Sequence, residues 1–231
     1  MAMILEWEFY AYRRIRAIPR GLDAVAVPML ILGQWKTLGV PMLKTPVLTD
    51  GQIADFHRDG FVYLPGVFAD EIGQIESWVN EVAEERERSD YIWVYHEKSL
   101  KMDNADLINR IEKTAPFHEG FAELTQVLKA PNAQLLGEAA VLFKEKINFK
   151  MPGGGGFKAH QDCQAGWWDY ADFFITTMVC IDESTVENGC LQMVAGHHKR
   201  GLLREWEPLT AEDCEGMDYV MLPTKPGDIA F

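Results

Sequence analysis

The sequence predicts an α+β protein with a mainly β core. Three observations carry that prediction. Amphipathic helical patterns are confined to the chain before about residue 138. Beyond Ala139 come short runs rich in apolar and β-branched residues. Turn signals separate those runs: four glycines at 153–156, Glu187-Asn188-Gly189 and Pro226-Gly227. Helices first and many short strands afterwards suit a β-sandwich or barrel with flanking N-terminal helices, and a jelly roll is one such solution.

Residues 1–47 mix aromatics, arginines and prolines without steady periodicity. They read as an N-terminal arm or extension ahead of a domain spanning 48–231. Thr49 and Gln52 stand at capping-box spacing, with Leu48 and Ile53 placed as a hydrophobic staple. A short helix over about 50–58 follows, stopping at Gly60, and 61–64 read as a strand. Ile72, Ile75, Val79 and Val82 mark one face of a second helix, whose charged end at 84–88 is a solvated face. Strands are expected at 92–95 and 107–111, and helices at 119–128 and 132–138. The remaining strands are expected at 141–150, 173–181, 190–194, 219–222 and 228–231.

With 231 residues, 48% hydrophobic and 25% charged, the composition is that of a packed globular domain, which excludes disorder, collagen and a disulfide-stapled miniprotein. The net charge of -13 repels phosphate backbones and anionic lipid, so neither nucleic acid nor membrane is an expected partner. The longest apolar stretch, 24–33, contains Pro28 and falls well short of the ~18 residues needed to span a bilayer. Cys163, Cys180, Cys190 and Cys214 show no CxxC pair and no zinc-finger spacing. Free thiols in a reducing cytoplasm are the expectation.

His160-Gln161-Asp162 places an imidazole and a carboxylate two residues apart. On a strand both would point to one side. Imidazole plus carboxylate with open positions suits a non-haem Fe(II) site. The triplet by itself is weak, since a surface His beside an Asp is its usual origin. The glycine run 153–156 lacks the lysine followed by Ser or Thr of a phosphate-binding loop, so it reads as a flexible loop at a cavity mouth. Trp167, Trp168 and Tyr170 follow closely. An apolar substrate wall and ordinary core packing both account for them.

The surroundings of the triplet are more specific. Lys146-Ile147-Asn148-Phe149-Lys150-Met151-Pro152 and the glycines stand upstream. Gly166-Trp167-Trp168, Glu187-Asn188-Gly189-Cys190-Leu191, Ala195-Gly196-His197-His198-Lys199-Arg200-Gly201 and Lys225-Pro226-Gly227-Asp228-Ile229-Ala230-Phe231 follow downstream. In this order and spacing the set resembles the phytanoyl-CoA dioxygenase family of Fe(II)/2-oxoglutarate oxygenases, from about residue 48 onward. The resemblance implies a cupin-like double-stranded β-helix, with His160 and Asp162 as two of three ligands to Fe(II). It also implies 2-oxoglutarate as co-substrate, O₂ as oxidant, and hydroxylation of a small-molecule substrate with decarboxylation of 2-oxoglutarate to succinate. By position, Lys146 and Met178 match family residues that line the 2-oxoglutarate pocket. The lysine suits a carboxylate as counter-charge, and the methionine would be an apolar wall. Thr176 is a candidate on its own chemistry, with a hydroxyl to offer the co-substrate. His198 matches the His of the family's Gly-x-His-Lys turn, which is not a ligand, and is assigned a structural role.

One departure stands out. In this family the third ligand, a second histidine, follows the Gly-Asp-x-x-Phe strand, and an arginine for the far carboxylate of 2-oxoglutarate comes later. This sequence reaches Phe231 on that strand, so the third ligand is expected beyond Phe231. The last core strands are expected to be missing, leaving an exposed edge. A clipped but genuine dioxygenase is the leading expectation. The alternative is a catalytically inactive or fragmentary member acting as a binding or structural protein. A third reading is a cupin-type metalloprotein using His160, Asp162 and His198. Substrate identity and oligomeric state are not legible.

Overall fold

The computed structural model describes residues 2–11, 43–84 and 92–231. Most of the predicted arm and of the charged run at 84–88 lies outside them. Among the described residues nine strands and three α-helices occur. The strands are β1 (Ala2–Ala11), β2 (Tyr63–Leu64), β3 (Trp93–Lys98), β4 (Asp106–Glu112), β5 (Ala140–Lys150), β6 (Phe174–Cys180), β7 (Leu191–Val194), β8 (Tyr219–Leu222) and β9 (Ile229–Ala230). The helices are α1 (Asp50–Asp59), α2 (Ile72–Glu84) and α3 (Glu119–Leu136).

Local chemistry sets the helices as the sequence implies. Thr49 accepts from the Gln52 backbone N–H while the Gln52 side chain accepts from that of Thr49, so both arms of the capping box are present. Gly60 ends α1 in the left-handed conformation at φ 85°. Ile75, Val79 and Val82 are buried along α2, joined by Trp78. The two helices expected at 119–128 and 132–138 are instead one. α3 runs straight through Pro131, which costs one backbone hydrogen bond, because Leu128, Pro131, Asn132 and Leu135 all lie on its buried side.

The main sheet is antiparallel throughout, in the order β2-β9-β6-β1-β5-β4-β3. Its centre is a strand the sequence reading did not assign. β1 pairs with β5 on one side and β6 on the other. Leu5, Trp7 and Phe9 alternate onto the face covered by α3, each almost wholly buried and contributing about 1.5–3 kcal/mol. Two polar links fasten the helix to that face. Trp7 Nε1 donates to Thr125 Oγ1 at 2.9 Å, and Asn132 Nδ2 donates to Thr177 Oγ1 at 2.7 Å.

The opposite face of the sheet carries Glu6, Glu8, Lys144, Lys146, Asn148, Thr176 and Met178, by strand alternation and register. The second sheet, β7 with β8, leaves Leu191, Tyr219, Val220 and Met221 exposed. The main sheet is continuous through β1. The Pro226-Gly227-Asp228 turn is anchored by its carboxylate. Asp228 accepts from the Gly66 and Lys225 backbone N–H groups at 2.7 and 2.6 Å and from the Tyr63 hydroxyl.

Candidate active site

The chain leaves β5 at Lys150, passes the glycine loop and reaches His160. The loop is tied down rather than free. Gly155 N–H donates to Glu97 Oε2 at 3.0 Å, and the Gly153 carbonyl accepts from Leu100 N–H at 2.7 Å. At Gly153 a Cβ would stand 2.7 Å from Ser99 Oγ, at a φ of +86°, so glycine is required there.

The His-x-Asp triplet does not lie on a strand. His160 sits in a loop and Asp162 opens a short 3-10 turn, Asp162–Ala165, that Gln161 and Gln164 cap reciprocally. The two side chains nevertheless meet. His160 Nε2 lies 3.3 Å from Asp162 Oδ1, and both side chains are about two-fifths exposed, at 42% and 41%. His160 Nδ1 lies 2.7 Å from the Lys158 carbonyl, which can only accept, so Nδ1 carries a proton and Nε2 faces the carboxylate. The Asp162 hydrogen bond raises the His160 pKa, against the lowering effect of burial. Crowding pushes the Asp162 carboxyl up, but the bond from His160, the charge of Lys146 and the Thr176 hydroxyl outweigh it and hold the carboxyl at about 2. Asp162 thus stays ionised, as a metal ligand must.

The structure brings most of the predicted residues to this face. The hydroxyl of Thr176 donates to Asp162 Oδ2 at 2.6 Å, so it orients that carboxylate. Met178 shares its side of β6 and packs with Cys180, Ala230, Ile4 and Tyr63. Trp167 is buried in a cluster with Phe143 and Phe174, at ring separations of 5.4 and 5.2 Å, and Tyr170 joins Phe143 at 5.3 Å. Core packing describes Trp167 best. Trp168 is half-buried beside Cys163. His198 packs its ring on Gly60, where a Cβ would stand 2.1 Å from its Nδ1, and the turn is held by Gly196 N–H to the Asp59 carbonyl at 2.7 Å. Among the described residues no three His, Cys, Asp or Glu side chains are placed to hold one metal ion. The reading that joined His198 to His160 and Asp162 is therefore overturned.

Three residues of this face were missed from sequence. Glu6 and Glu8 approach Lys146 Nζ at 2.7 and 3.0 Å. Asn148, one alternation from Lys146, has its side-chain amide buried with neither Nδ2 nor Oδ1 bonded. Strand alternation at 4–10 was the available signal for the first two.

The pair His160 and Asp162, one oriented by a carbonyl and the other by a hydroxyl, fits part of the donor set a non-haem iron would need. An orphaned amide beside a lysine suits a carboxylate.

An antiparallel main sheet with a His-x-Asp pair in the loop that follows β5 suits the double-stranded β-helix oxygenases as a class. Solved structures agree on the fold. EctD from S. alaskensis, crystallised with 2-oxoglutarate and 5-hydroxyectoine, superposes with a TM-score of 0.63 at 21% identity, over 83% of this chain and 71% of that one. SnoK, a non-haem α-ketoglutarate-dependent carbocyclase, superposes at 0.61 and 17% identity, over 79% and 73%. The family model for phytanoyl-CoA dioxygenase (PhyH) matches residues 56–231, and the chain belongs to that family. Methylphosphonate hydroxylase of Gimesia maris is 34% identical over 189 residues, 80% of this chain and 71% of that protein. The 2-aminoethylphosphonate dioxygenase of an uncultured bacterium is 36% identical over 189 residues, 79% and 71%. The protein is an Fe(II)- and 2-oxoglutarate-dependent dioxygenase that hydroxylates a small molecule. Among the described residues no helix is long and apolar enough to cross a membrane.

Proposed function

We propose that the site face hydroxylates a small organophosphonate, with His160 and Asp162 as two of the three iron ligands. The observation that carries this reading is the meeting of His160 Nε2 and Asp162 Oδ1 at 3.3 Å, with both side chains partly exposed. Thr176 orients Asp162, and the Lys158 carbonyl orients His160. Lys146 and the Asn148 amide receive the carboxylate of 2-oxoglutarate, while Met178 closes the apolar side. The bound iron with 2-oxoglutarate and O₂ supplies the oxidising power for C–H hydroxylation. The chain's own share is ligand orientation, charge neutralisation and substrate placement.

The phosphonate is supported by the relatives named above and by two further cations on β5. Lys144 lies over the Trp167 ring at 5.0 Å. Lys150 lies over the Phe157 ring. Trp168 and Tyr170 border the substrate. The four free cysteines accord with the cytoplasm as compartment.

The test is succinate formation from 2-oxoglutarate with Fe(II), with and without methylphosphonate or 2-aminoethylphosphonate. Succinate should rise with a phosphonate present, and His160→Ala should abolish that rise. Turnover retained in His160→Ala sinks the ligand assignment. Turnover driven by other small molecules but by neither phosphonate sinks the substrate class.

A further inference from the structure

β1 places two carboxylates where the dioxygenase reaction has no use for them. Glu6 and Glu8 reach the site face from the central strand and share Lys146 as counter-ion, at 2.7 and 3.0 Å. Glu8 is 0% exposed, and its second oxygen is buried without a partner. Burying a carboxylate with one oxygen unbonded is costly, and a single lysine shared between two acids does not fully repay it. They occupy the Lys146 amine that an incoming carboxylate would need. An approaching anion meets repulsion from Glu6, Glu8 and Asp162 before it gains the lysine.

We propose that Glu6 and Glu8 are built-in competitors of 2-oxoglutarate at Lys146, which makes β1 an autoinhibitory strand. The co-substrate binds by taking the lysine from them. Glu6, whose side chain is 21% exposed, can turn to solvent, and Glu8 remains as the resident acid. The inference rests on the assignment of Lys146 to the 2-oxoglutarate pocket.

The test is calorimetric titration of 2-oxoglutarate into the full chain with Mn(II) present and O₂ excluded. Four proteins are compared: wild type, Glu6→Gln/Glu8→Gln, Lys146→Gln, and the triple variant. Removing both acids should tighten the Kd about tenfold, the scale of one displaced charge-assisted contact. Lys146→Gln should erase that gain. Should the double variant bind no tighter while Lys146→Gln binds more weakly than wild type, the competition is wrong and the pocket assignment stands. Should Lys146→Gln change the Kd in neither background, the pocket assignment itself fails. No binding in any of the four overturns the competition as well. Glu6→Gln alone, at the less buried position, is expected to give a smaller gain in the same direction. It decides the matter if circular dichroism shows the double variant unfolded.

Discussion

Thr176 shows how one hydroxyl can aim a carboxylate. Its bond to Asp162 Oδ2 leaves Oδ1 turned to His160 Nε2, so the two proposed ligands converge. Outer partners of this kind are worth about 10–100-fold in metal affinity. Thr176→Val keeps the shape and removes the donor. It should weaken Fe(II) binding, titrated anaerobically, by about that factor, while Thr176→Ser should restore it. An unchanged affinity in the valine variant would show that Asp162 is oriented by its turn alone. The triplet was singled out by the motifs around it, since His-x-Asp alone is a weak signal. The 3-10 turn was not legible, because His-x-Asp reads as extended by default and only the Gln161–Gln164 cap marks the turn that Asp162 opens.

At the scale of elements, what was legible followed from whether a residue advertises one environment. Thr49, Gln52 and Gly60 have a single local job each, and α1 begins and ends where they dictate. β1 misled because its two faces are both interior. Leu5, Trp7 and Phe9 alternate plainly, but Glu6 and Glu8 between them look like a solvent face, and no local rule says that Lys146, far along the chain, will cover them. Pro131 misled in the opposite sense, since a helix breaker was tolerated once tertiary packing fixed both sides. The Asn132–Thr177 pair next to it makes this testable. Asn132 also donates to the Leu128 carbonyl at 2.9 Å, so its amide is fully engaged between helix and sheet. Asn132→Leu keeps the branched shape but leaves the Thr177 hydroxyl buried and unpaired. Urea unfolding should show a loss of about 1–3 kcal/mol, and the double variant Asn132→Leu/Thr177→Val should recover part of it.

For the whole molecule the acidic balance and the buried acid act together on stability. Desolvation lifts the Glu8 pKa from 4.5 to about 7, opposed by the charges of Lys146 and Lys144 on β5 and reinforced by Glu6 on its own strand. The neighbouring β6 presents Thr176 opposite it, which does not titrate in this range. Between these two values the folded chain holds a proton that the unfolded chain has released. Stability therefore falls as pH rises through the window from 4.5 to about 7. Burial also raises the pKa of Glu145, whose contribution has the same sign. Mounting repulsion in a chain of net charge -13 adds to the trend. Glu8→Gln separates the local part from the global one. Its unfolding free energy should vary less between pH 5 and pH 8 than that of wild type, by up to about 3 kcal/mol, the equivalent of the Glu8 shift. Parallel profiles for the two proteins would mean that Glu8 is ionised throughout and fully balanced by Lys146. In that case the lysine would be held by a true ion pair rather than by an acid near its titration point, and an anionic co-substrate would find it harder to win.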